Sequence, residues 1–162
     1  MTALPSDGSG RATPPCAFVI FGASGDLARR KLLPSLYELW VKGRLHPETA
    51  VVGVARRDYD DAQFRAEVAA ALEEFHRPGC TSTPEWDAFA QTLYFCGFDL
   101  NDTDGYRHLY QRLAELSDST RLERQAVFYL SIPPEVFPGV IDHLDEAGLT
   151  RTHDTTDGSW PR

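Results

Sequence analysis

The chain has 162 residues, 42% hydrophobic and 25% charged, with a formal net charge of −8. That suits one domain with a real core and is ordinary for a soluble globular protein. The acidic balance speaks against nucleic acid and anionic membrane surfaces as partners, since both need a basic face.

No apolar stretch approaches the roughly 20 residues that cross a bilayer. Residues 1–15 are rich in Ser, Gly, Thr and Pro, lack the apolar core of a signal peptide, and read as a disordered lead-in. The three cysteines, Cys16, Cys80 and Cys96, form no C-x-x-C pair. Without an export signal they are expected to be reduced thiols in a cytoplasmic protein, and Cys96, in an apolar run, a small core residue.

Apolar runs then alternate with segments of helical period. Residues 17–21 are the first expected strand. Residues 26–40 follow as a helix with Leu32, Leu33, Leu36, Leu39 and Trp40 on one stripe, which Pro34 should kink or restart. Residues 50–55 form the second strand. Residues 61–75 form a helix with Phe64, Val68, Leu72 and Phe75 in step and Asp60 or Asp61 as N-cap. A short helix is expected over 84–91, a third strand over 93–98 and a helix over 102–116. The fourth strand, 126–132, leads into a helix over 134–147 closed by Gly148 as its C′ residue. This order predicts α/β architecture: a doubly wound, Rossmann-like parallel sheet with right-handed crossovers. The nearly continuous apolar character of strands one, two and four predicts burial on both faces. After Leu149 neither period continues, and 150–162 reads as a polar tail.

The first strand is cut off by Gly22 and Gly25, and a helix follows at once. Strand, glycine turn and helix aim backbone N–H groups and the positive end of a helix dipole at one spot, which suits phosphate. The spacing is G-x-x-G with Ala28 three residues further on, and Ser24 stands where the dinucleotide fingerprint has its second glycine. No Walker P-loop is present. Arg29, Arg30 and Lys31 sit near the first helical turns, where acids would be preferred. Arg29 and Arg30 either face ligand or form a solvated basic face; Lys31 is the one expected to turn toward ligand or substrate. At the end of the second strand, where NAD-preferring folds carry an acid, stand Arg56 and Arg57. A guanidinium binds a 2′-phosphate that an acid would repel, so NADP is favoured over NAD. Dual use stays open, because either arginine can also stack on adenine.

The segment Gly22-Ala23-Ser24-Gly25-Asp26-Leu27-Ala28-Arg29-Arg30-Lys31-Leu32-Leu33-Pro34-Ser35-Leu36-Tyr37 resembles the amino-terminal signature of the glucose-6-phosphate dehydrogenase family. Val52-Gly53-Val54-Ala55-Arg56 is similar to the family's second-strand segment, whose Arg grips the NADP 2′-phosphate. Residues 95–102 and 128–134 resemble its third- and fourth-strand ends, and the likeness runs from about Phe18 to Leu149.

The resemblance implies NADP-dependent oxidation of glucose 6-phosphate at C1 to 6-phosphogluconolactone, opening the pentose phosphate route. Residues 16–149 would be the NADP-binding domain. Within it, Gly22, Ala23, Ser24, Gly25, Asp26 and Leu27 would form the pyrophosphate turn and Arg56 would bind the 2′-phosphate. Asp99 and Leu100 would lie along the cofactor, and Lys31 would stand at the edge of the site. Phe137 falls where some members have a cofactor-contacting Tyr.

The family's Glu-Lys-Pro segment and its Arg-Ile-Asp-His-Tyr-Leu-Gly-Lys segment, which carries the His base, have no counterpart here. The implied reading is a fragment without the α+β substrate domain, inactive alone, from an enzyme that is homo-oligomeric at full length. His46, His76, His108, His143 and His153 are expected at the surface, and no residue is assigned a catalytic or metal-binding role. The other readings are a stand-alone NADPH-binding or sensing module without catalysis, and a non-functional remnant.

Overall fold

The computed structural model describes residues 14–119, 122 and 125–150. Most of the expected lead-in, nearly all of the polar tail, and His153 lie outside the described residues. Four parallel strands, β1 (Ala17–Phe21), β2 (Ala50–Ala55), β3 (Leu93–Gly97) and β4 (Ala126–Leu130), pair in the order β3-β2-β1-β4. Helices α1 (Leu33–Val41), α2 (Asp61–Phe75) and α3 (Pro84–Ala90) pack with the core on one face; α4 (Thr103–Ser119) and α5 (Phe137–Glu146) pack with that on the other. This is the expected doubly wound α/β sheet. Among the described residues no helix is long and apolar enough to cross a membrane.

Alternation along β1 splits the two cores. Ile20 faces Leu33, Tyr37, Phe64 and Phe89, while Val19 and Phe21 face Tyr106, Leu109, Val140 and Leu144. Cys96 belongs to the second core, where burial pushes its thiol up to about 11. All six residues of β2 are buried, as a central strand covered on both faces requires.

β4 departs from expectation. Its exposure alternates, with Val127 46% and Tyr129 37% exposed, so only one of its faces is covered. The reason is uneven cover: Ala126, Phe128 and Leu130 pack against the second core, whereas Val127 and Tyr129 on the opposite face belong to neither core, and an apolar run cannot report which neighbours the topology supplies.

The first helix is also more complicated than one kinked rod. Residues 28–32 widen into a π turn in which the Leu33 N–H donates to the Ala28 carbonyl, five residues back. Pro34 has no N–H to continue the ordinary ladder, and the wider turn absorbs that break without ending the helix. Leu33, Leu36 and Tyr37 are buried and Trp40 partly so, whereas Leu39 flanks that stripe and is exposed.

Asp60 caps α2 with a full capping box: its side chain accepts from Gln63 N–H, and Gln63 Oε1 accepts from Asp60 N–H. The same turn closes the free edge of β3. Asp61 Oδ1 accepts from the Phe95 N–H at 2.8 Å, and Arg65 Nε donates to the Leu93 carbonyl at 3.3 Å. Arg112, from α4, pairs with the other Asp61 oxygen and lies over the Tyr94 ring. Among the described residues no side chain serves the outer edge of β4 in this way. Asp61→Ala is expected to destabilise the fold by about 2 kcal/mol, read as a lowered urea midpoint. Asp61→Asn, which keeps an oxygen for Phe95, is expected to cost less.

Candidate functional site

The strand order brings the end of β1 between the ends of β2 and β4. After β1 the chain runs outward to β2 and β3, then crosses back to β4 on the other side. That reversal opens a crevice at the carboxyl ends of the strands, the usual place for a ligand in an open α/β sheet. An open cleft of about 920 Å³ occupies it. Its walls are the glycine turn (Gly22, Ser24, Gly25), the end of β2 with Arg56 and Arg57, and the loop after β3 (Asp99, Leu100, Asn101). The segment following β4, from Ser131 to Val140, supplies the far wall.

Gly22 is required twice. Its φ of +82° lies in the left-handed region, and a Cβ there would come within 2.1 Å of the Ser131 carbonyl oxygen. The N–H groups of Gly22 and Ala23 both donate to the Val54 carbonyl, at 2.9 and 3.1 Å, and Gly25 N–H donates to the Gly22 carbonyl. The first part of the turn is therefore spent on stitching β1 to β2. The donors left for an anion come from the first helical residues, 26 and 27, which have no acceptor within the helix.

Gly97 sets the other side. A Cβ on it would approach the Arg57 carbonyl oxygen to 2.2 Å, so the loop carrying Arg56 and Arg57 lies directly against the end of β3. Arg56 Nη1 stands 3.8 Å from Asp99 Oδ2. The loop beyond β3 is held by Tyr106, whose hydroxyl donates to the Leu100 carbonyl at 2.9 Å; burial pushes that phenol up to about 12.

Of the residues singled out from sequence, Gly22, Ser24, Gly25, Arg56, Asp99 and Leu100 line the cleft. Ala23 is buried against the α1/α2 core, Asp26 pairs with Arg30 at 2.7 Å, and Leu27 is exposed. Lys31 lies on the exposed side of the π turn, outside the lining. Arg29 and Arg30 turn toward α2: Arg29 lies 3.8 Å from Glu74, and Arg30 sits over the Phe75 ring.

Sequence reading missed the far wall. Ser131 lines the cleft with a buried hydroxyl that has no partner among the described residues, a group that a ligand's polar atom would satisfy. Glu135 and Gly139 line it too, and nothing in their local spacing announces a site. Three histidine expectations also need correction. His46 is half-buried rather than on the surface, and so are His76 and His143, which meet Tyr37 edge-on and Tyr106 at a tilt, at 5.5 and 5.1 Å between ring centres. None of the three lines the cleft. Among the described residues no group of three or more His, Cys, Asp or Glu comes together as a metal site.

The family model for the glucose-6-phosphate dehydrogenase NAD-binding domain matches residues 19–159. The chain belongs to the glucose-6-phosphate dehydrogenase family. It is 36% identical over 154 residues to the glucose-6-phosphate 1-dehydrogenase of Chlamydia pneumoniae, covering 95% of this chain and 30% of that protein. It is 39% identical over 136 residues to that of Dickeya dadantii, covering 84% and 26%. A solved glucose-6-phosphate dehydrogenase in complex with its substrate glucose-6-phosphate superposes with a TM-score of 0.75 at 27% identity, covering 85% of this chain and 28% of that one. The chain thus spans under a third of the length of these dehydrogenases, over their dinucleotide-binding domain.

Dinucleotide binding fits the geometry: a glycine turn that no side chain can enter, unspent helix N–H groups, two arginines across the cleft, and an unsatisfied hydroxyl. Gly22→Ala is expected to cost at least about 2 kcal/mol through the left-handed backbone and the Ser131 clash. Urea unfolding read by far-UV circular dichroism measures it.

Proposed function

We propose that this chain is the cofactor-binding part of an NADP-dependent glucose-6-phosphate dehydrogenase. The full-length enzyme oxidises glucose 6-phosphate at C1 to 6-phosphogluconolactone, opening the pentose phosphate route. The observation that carries the reading is a cleft at the β1/β4 switch point, floored by Gly22 and edged by Arg56, in a chain matching that family over most of its length.

When bound, an oxidised nicotinamide dinucleotide supplies the hydride acceptor. The chain's own residues bind and orient it. The turn from Gly22 through Ala23, Ser24, Gly25, Asp26 and Leu27 receives the pyrophosphate, its free donors lying at the helix start. Arg56 holds the 2′-phosphate, which favours NADP over NAD, with Arg57 beside it. Asp99 and Leu100 flank the adenosine side, and Lys31 belongs only to the margin. The domain comprises residues 16–149. The proton acceptor for the sugar hydroxyl and the contacts to the sugar phosphate are assigned to no residue of this chain. A cytoplasmic location and homo-oligomeric assembly of the full-length enzyme complete the reading, the first supported by three unpaired cysteines.

Two measurements test it. Arg56→Asp is expected to weaken NADP binding by about tenfold or more and NAD binding much less, in a fluorescence titration; equal losses would overturn the 2′-phosphate role. The 162-residue chain alone is expected to reduce no NADP in the presence of glucose 6-phosphate. Turnover by the purified chain would show that it carries a base this reading does not assign.

A further inference from the structure

The Arg56 guanidinium shares its corner of the cleft with a fixed negative charge. Asp99 Oδ1 accepts from the Asn101 backbone N–H at 2.9 Å and from Asn101 Nδ2 at 3.1 Å, which locks the carboxylate in a short turn. Its other oxygen, Oδ2, is left facing Arg56 Nη1 at 3.8 Å. The backbone reinforces the placement. Asp102 N–H donates to the Asp99 carbonyl at 2.8 Å, and Tyr106 holds Leu100 from beneath. Both charged groups line the cleft and are open to solvent, Arg56 78% and Asp99 48% exposed.

We propose that Asp99 is a specificity-determining residue that works against the 2′-phosphate and narrows the preference of Arg56 for NADP over NAD. The inference rests on the dinucleotide reading of the cleft and goes beyond it. A phosphate drawn to Arg56 must displace or neighbour a carboxylate whose other oxygen is held by Asn101. A free ribose 2′-hydroxyl meets the opposite situation: the carboxylate is an acceptor for it, the role an acid at the second strand plays in NAD-preferring folds. Here the acceptor comes from the end of the third strand, and the cation occupies the second-strand position. The two groups pull selectivity in opposite directions. Because both are exposed, their leverage is moderate and salt-dependent.

Binding of 2′,5′-ADP and of 5′-AMP to the 162-residue chain, measured by isothermal titration calorimetry, isolates the effect from turnover. Asp99→Asn keeps the shape and an oxygen for Asn101 and removes the charge. It is expected to tighten 2′,5′-ADP by about three- to tenfold at low salt while 5′-AMP weakens. The gain should shrink at high salt. Asp99→Ser, which keeps a short acceptor for the turn, is expected to move the ratio the same way, and thermal melts of both variants report whether the loop stays folded. An unchanged ratio of affinities in both variants, or weaker 2′,5′-ADP binding in both folded variants, would overturn the proposal. If the unsubstituted chain binds neither compound, the dinucleotide reading itself fails and this inference with it. If it binds 2′,5′-ADP and loses it on Arg56→Asp, that reading stands and only the role of Asp99 is being decided.

Discussion

Where β4 lies beside β1, the Ser131 carbonyl oxygen fills the space that a side chain on residue 22 would need, 2.1 Å from where its Cβ would be. The shape of the cleft depends on that close approach. It lets the far wall of the cleft, beginning at Ser131, stand directly over the glycine turn. Residue 22 also lies in the left-handed region, where the chain leaves the strand and turns toward the helix. The topology then supplies depth: with β2 and β3 on one side and β4 on the other, the crossovers diverge above β1 and leave a space that no helix fills.

The two edges of the sheet are treated differently, and the difference is chemical. On β3 the outward backbone groups are answered by Asp61 and Arg65, and Arg112 covers Tyr94. Side chains that satisfy an edge in this way make it a poor template for another strand. On β4 the described residues offer no such cover, and Val127 and Tyr129 present apolar surface on the same strand. The sheet is therefore closed at β3, while the outer edge of β4 is open among the described residues.

Elements bounded by turn and cap residues of their own were legible in the sequence. β1, β2 and α2 have the expected bounds, because their flanking turns carry Gly22, Asp60 and Gln63, whose chemistry is local. What was not legible depends on partners distant in the chain. The exposure of Val127 and Tyr129 is decided by the absence of a neighbour, which no pattern within β4 can encode. The π turn at 28–32 is an adjustment to Pro34 that a kinked helix would have met equally well. His76 and His143 were misplaced because their burial comes from Tyr37 and Tyr106 on other elements. In the site, the glycine turn and the two arginines announced themselves through broken local rules: glycines after a strand and cations where an acid is usual. Ser131 and Glu135 break no such rule. They line the cleft because β4 happens to end there, a fact of topology.

A chain with a net charge of −8 that binds a polyanion needs an explanation at the level of the site, and distance supplies it. At physiological ionic strength charges more than about 8 Å away are largely screened. The acids of α2, α4 and α5 do not line the cleft. What a phosphate meets there is the start of the first helix with its dipole and unspent N–H groups, then Arg56 and Arg57. Within that short range the acids that count are the ones lining the same cleft, Asp99 and Glu135, so a single carboxylate on the wall can matter more than the whole acidic surface. The shape of the cleft itself rests on a handful of close contacts made at Gly22, Gly97 and Tyr106.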